Sequence, residues 1–208
     1  MKIRVLLSAV IAFLSAGAAH AEYLGLPYGR TANTETHSPM TLEGGIQLGD
    51  LDNFIARLSL NLNPKLSIYG DLGLTDMDYG HGYGSESGLN IGGGFVYGLG
   101  ELAPEIDFGV LGSIHRVSTD DFDWTGLAVR GVASGDLPIQ EVAASWYASA
   151  GLEYLSVSVD NCRGCDADDT ELALGGGIIY PIGPGEAFGG LDLVDELTIG
   201  GGYRINLK

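Results

Sequence analysis

The feature that most restricts the fold is a two-residue alternation of side-chain character. Phe54, Ala56, Leu58, Leu60 and Leu62 interleave with Ile55, Arg57, Ser59, Asn61 and Asn63. Leu66, Ile68, Gly70, Leu72 and Leu74 then interleave with Ser67, Tyr69, Asp71, Gly73 and Thr75. Successive side chains of an extended strand point to opposite faces, so each run reads as a strand with one apolar face and one polar or small one. The same reading predicts strands over 41–49, 53–63, 65–75, 88–98, 105–117, 123–134, 141–158, 170–182, 186–194 and 196–207. Strands of this kind reach the roughly 9–11 residues that a tilted strand needs to cross a bilayer. Many of the 34 glycines fall inside these runs. Helices tolerate that poorly, while curved and closed sheets use glycine for bends and close approach.

The connections fall into two classes. Those at 63–65, 98–104, 134–139 and 182–185 are short and carry proline or glycine, as tight turns do. Those at 76–87, 118–123 and 160–169 are longer and rich in Asp, whereas 50–52 and the Asp195 turn are tight. Short turns at one end and long loops at the other are the pattern of an antiparallel up-and-down transmembrane β-barrel. We expect about ten strands, with eight as the alternative count, and both termini at the short-turn end.

Residues 1–21 have Lys2 and Arg4, an apolar run from Val5 to about Ala18, and the small-residue ending Ala19-His20-Ala21. That is the build of a secretory signal peptide. The leader carries none of the 27 acidic residues, so the chain that follows is more acidic still than the net charge of −17. Such a charge repels nucleic-acid phosphates and excludes a general nucleic-acid binder. The expected organisation is a signal peptide at 1–21, a periplasmic N-terminal lead-in at 22–40 and a barrel at 41–208.

The last strand reads Thr198-Ile199-Gly200-Gly201-Gly202-Tyr203-Arg204-Ile205. Together with the leader and the acidity, it resembles the small bacterial outer-membrane β-barrel proteins, the OmpA-like and opacity-type barrels. Gly200, Tyr203 and Ile205 match the assembly signal of that family. The family usually ends on an aromatic residue, whereas this chain ends Asn206-Leu207-Lys208. The resemblance implies a Gram-negative outer-membrane location and the barrel assembly machinery as a partner during biogenesis. It further implies outer-membrane lipid and lipopolysaccharide as surroundings and a monomeric state. The rival is a soluble exported β-sandwich, which would alternate equally.

If the apolar faces point outward, the lumen is lined by Glu43, Arg57, Asp71, Asp107, His115, Arg130, Glu153, Glu171, Asp192 and Arg204. Side chains fill the interior of small barrels, and charges of both signs in so narrow a space should pair. The structural reading is therefore an ion-pair network. The alternative is a thin cation-preferring path, because acids outnumber bases in this set.

Cys162 and Cys165 share one loop of an exported chain, and a small disulfide is expected there. Asp76 and Asp78, then Asp120, Asp121 and Asp123, then Asp166, Asp168 and Asp169 form acidic runs without EF-hand spacing. We expect no cofactor and no metal site, with weak divalent-cation binding by the acidic loops as the alternative. Ser113 and His115 share a face, but no motif fixes Asp120 or Glu153 beside His115 and no oxyanion group completes a catalytic set. No enzyme activity is expected, and a barrel-mouth hydrolase is the least favoured reading. The expected role is structural or surface interaction through acidic loops. The alternative is a narrow passive pore, porin-like, for small solutes.

Overall fold

A computed structural model describes residues 23–78, 85–119, 122–137, 143–159 and 167–207. Ten antiparallel strands follow one another along the chain: β1 (Met40–Leu48), β2 (Leu51–Asn63), β3 (Leu66–Asp78), β4 (Ser85–Ala103) and β5 (Ile106–Ser118), then β6 (Phe122–Asp136), β7 (Ser145–Val159), β8 (Ala167–Ile182), β9 (Gly185–Leu193) and β10 (Leu197–Leu207). Each pairs with its neighbours in sequence, and β1 pairs with β10 to close the sheet. The protein is thus an all-β, up-and-down barrel of ten strands. A single sheet closed on itself excludes both the two-sheet sandwich and the eight-strand count.

Alternation sets the inside and the outside. On β2, Leu51, Asn53, Ile55, Arg57 and Ser59 are buried, while Phe54, Leu58 and Leu60 are exposed. Large apolar side chains face outward all round the wall, among them Leu72, Ile91, Val129, Leu152, Ile178 and Ile199. The most exposed of these six, Val129, is 64% accessible. Inside, the wall presents acidic and amide side chains, including Glu43, Gln47, Asn53, Asn90 and Asp192. This is the reverse of a water-soluble barrel.

The strands differ from expectation mainly at their ends. β4 was expected to stop at residue 98 but runs on to Ala103, with register shifts between Gly98 and Gly100 and between Glu101 and Ala103. Gly100 has φ +97°, which an L side chain rarely adopts, so the glycine serves a bulge inside the strand. The last strand, in which an assembly signal is expected, is the one that closes the barrel: Tyr203 pairs with Gly44 and Ile205 with Leu42. Tyr203 faces outward and its hydroxyl donates to the Ile182 carbonyl at 2.9 Å.

Candidate functional site: a filled lumen

The segment expected as a periplasmic lead-in lies instead inside the barrel. Residues 23–30 are all buried, and 23–32 run antiparallel to β1 through the lumen. Gln47, near the long-loop end of β1, donates to the Tyr23 carbonyl at 2.6 Å. At the other end, Thr34 donates to the Pro64 carbonyl in the β2–β3 turn at 2.6 Å. The described chain therefore starts towards the long-loop end and descends to the short-turn end. It turns there through a single 3-10 turn at Thr34–Thr36 and climbs back as β1. Only the C-terminal strand ends where both termini were expected.

The sequence of this segment explains its shape. Pro27 lacks a backbone N–H, and Gly25 and Gly29 disfavour helix, so the stretch stays extended. Gly29 has φ +58°, and a Cβ there would stand 2.5 Å from the Phe188 ring. At the wall, a Cβ on Gly200 would meet Pro27 at 2.6 Å. Both positions need glycine for the segment to pass.

An extended strand outside any ladder leaves its own N–H and C=O groups unpaired, which is costly when buried. The wall supplies the partners. Asn90 donates to the Leu24 carbonyl at 2.7 Å, Arg57 to that of Leu26 at 3.5 Å, and Arg204 to that of Gly29 at 2.7 Å. The Ala32 N–H donates to the Ser134 hydroxyl at 2.7 Å. Side chains of the segment complete two apolar cores. Tyr23 and Leu24 pack with Leu51, Val117, Leu155 and Val194, and Leu26, Tyr28 and Ala32 with Ile55, Val96, Leu111, Val132 and Phe188.

Three ion-pair groups surround it. Arg57 forms a two-pronged pair with Asp71, at 2.7 and 2.8 Å, and Nε2 of His115 meets the same carboxylate at 2.9 Å. The Arg57 guanidinium lies 4.3 Å from the Tyr69 ring centre. Arg130 bridges Glu153 at 2.6 Å and Asp192 at 2.5 Å and stacks over Tyr23. Glu43 takes Arg30 as its close partner and Arg204 at 3.8 Å, while Arg204 also reaches Glu186 at 2.9 Å.

Most of the lumen set predicted from sequence is brought together here. Glu43, Arg57, Asp71, His115, Arg130, Glu153, Asp192 and Arg204 are all buried. Asp107 and Glu171 are only half-buried: Asp107 lines the cavity at the short-turn end, and Glu171 lies on β8 opposite Glu153. The sequence reading missed Arg30, which the segment carries into the lumen. The expected excess of acids is therefore absent from the buried wall and segment. Arg30, Arg57, Arg130 and Arg204 face Glu43, Asp71, Glu153 and Asp192.

Below the segment, a cavity of about 530 Å³ opens at the short-turn end between Arg30, His37, Glu101, Asp107, Asp136 and Glu186. His37 lies in the turn leading to β1, where its Nε2 lies 3.0 Å from the Thr31 carbonyl. Burial, together with the positive charges of Arg30 and Arg204, pushes its pKa down to about 3. The ring is neutral at pH 7.

Among the described residues no cluster of three or more His, Cys, Asp or Glu side chains is arranged to hold a metal ion. The leader at 1–21, Asp120, Asp121, Asp166 and the Cys162–Cys165 pair lie outside the described residues. His115 and Ser113 are both buried in the lumen, and His115 is held against Asp71 with the Tyr23 ring edge-on beside it. No family model and no curated protein matches the sequence.

Proposed function

We propose that the chain is a bacterial outer-membrane barrel whose own N-terminal segment fills the lumen. Its role is envelope structure and surface interaction through the acidic long-loop end. The observation that carries this is the filling itself. A wall whose side chains donate to four carbonyls of residues 23–32, accept from the Ala32 N–H, and balance their charges around them is built around a resident segment. The outward apolar belt supports a lipid environment, because so much exposed apolar surface would be an aggregation hazard in water. Export by the leader and the C-terminal resemblance to the OmpA-like, opacity-type barrels agree with it.

With the lumen filled, the long-loop end presents acidic groups to the surroundings, such as Asp52, Asp76, Asp168, Asp169 and Glu171. An acidic rim of this kind attracts cations at short range, and Arg116 is the exposed basic side chain within its described part. Among the described residues this rim holds no catalytic constellation.

The test is complementation in a strain of the source cell that lacks the chain. The full chain should restore resistance of the envelope to detergent and chelator. A variant with Asp76, Asp168 and Asp169 changed to Asn should insert equally well and restore less. Full restoration by the neutralised variant would remove the acidic end from the function. An intact envelope without the chain would remove the structural role.

A further inference from the structure

The outer wall carries an apolar groove of about 620 Å³ between β4 and β8. Its hollow comes from the outward position Gly93, which holds no side chain and sits in register beside Ile114, while the Phe95 ring lies over Gly112. Leu127, Val129, Leu152 and Tyr154 form its far side. One outward position beyond Ile114, towards the long-loop end, stands Arg116, paired in register with Ile91 and Thr125. Among the described residues the exposed basic side chains are Lys65, in the β2–β3 turn, and Arg116, 62% accessible. The chain thus places its one exposed arginine in the described long-loop half one outward position beyond the groove's lining residue Ile114.

We propose that this site binds a phosphate-bearing membrane lipid, with an acyl chain in the groove and the phosphate on Arg116. The inference rests on the barrel lying in a membrane. The groove is lined almost wholly by aliphatic and aromatic groups, which suits a hydrocarbon chain. Arginine presents five N–H donors in a fork that matches phosphate oxygens. In this structure Arg116 gives one bond to Asp123 at 2.9 Å, and Asp123 is held separately by Ser118. An ion pair so exposed is weak, and it leaves the remaining donors of the fork for a headgroup.

Native mass spectrometry of the folded chain in non-ionic detergent tests the site. It is titrated with dimyristoyl phosphatidic acid and, separately, with dimyristoylglycerol, which has the same chains and no phosphate. The phosphatidic acid should bind about tenfold more tightly, as expected for a charge-assisted bond. Arg116→Gln should reduce it to the level of the diacylglycerol. Val129→Trp, which fills the groove, should weaken both lipids, and Ile199→Trp, on a distant part of the wall, should weaken neither. Heat-dependent gel mobility reports that each variant is folded. Equal binding of phosphatidic acid by the wild type and Arg116→Gln overturns the proposal. So does a dimer of the chain, lost in Val129→Trp, in place of lipid adducts. Flotation with phosphatidylcholine vesicles separates the two readings. A chain that floats but shows no phosphate preference overturns the lipid site alone, and one that does not float overturns the membrane reading with it.

Discussion

Arg130 is the side chain whose loss the lumen should tolerate least. It is 2% exposed and joins two carboxylates from different strands, Glu153 on β7 and Asp192 on β9, while its guanidinium lies 4.7 Å from the Tyr23 ring centre. Arg130→Met keeps much of the volume but leaves both carboxylates buried without their cation. Removing one partner of a buried pair costs about 3–5 kcal/mol, and with two acids stranded the upper part of that range applies. Replacing the whole group by neutral side chains leaves no buried charge. The triple variant Arg130→Met, Glu153→Gln, Asp192→Asn should therefore lose only about 1–2 kcal/mol, mostly through imperfect hydrogen bonding. Urea unfolding of the barrel in lipid vesicles, followed by the fluorescence of its two tryptophans, measures both. A single variant with an unchanged midpoint, or a triple variant less stable than the single one, would refute the reasoning.

Two further outcomes follow from the wall and the turn. Leu72 lies mid-strand on the outer face, with Ala56 and Ile91 beside it, whereas Leu60 lies opposite Met40 at the short-turn end. Leu72→Arg should cost about 2–4 kcal/mol of stability in vesicles and Leu60→Arg about 0–1, because the cost of a lipid-facing charge falls towards the interface; the reverse order would move the membrane midplane. The His37 pKa lies below that of an unfolded histidine, so between about pH 6.5 and pH 3 the unfolded chain binds a proton that the folded chain refuses. Stability should fall as the pH drops through that window, and His37→Gln should flatten the pH dependence of the unfolding midpoint; an unchanged slope would contradict a buried neutral ring.

The ten strands were legible because alternation is a local property. Phe54 to Asn63 declares its two faces without reference to anything distant. Even the weakest of these runs, 186–194, is a strand, Gly185–Leu193. The end of β4 was not legible, because the glycines at 98 and 100 read equally as a turn and as a bulge. The filled lumen was harder still. Residues 23–32 hold five apolar groups, Tyr23, Leu24, Leu26, Tyr28 and Ala32, but the run is short and broken by Gly25, Pro27 and Gly29, and its burial depends on a wall assembled from strands far along the chain. One signal was present on that wall. Ile55, Val96, Leu111, Val132 and Ile179 occupy inward positions that a water-filled channel would make polar. Apolar groups on the supposedly wet face indicate that something apolar covers them. Without the segment Arg30 could not be placed beside Glu43, and the lumen looked more acidic than it is.

The central claim is that residues 23–32 close the barrel. Single-channel current through the folded chain in a planar bilayer tests it directly, compared with a variant in which residues 23–33 are deleted. The account predicts an inserted but silent full chain, and discrete current steps once the segment is removed. Steady, discrete steps through the full chain would contradict it and restore the narrow-pore reading.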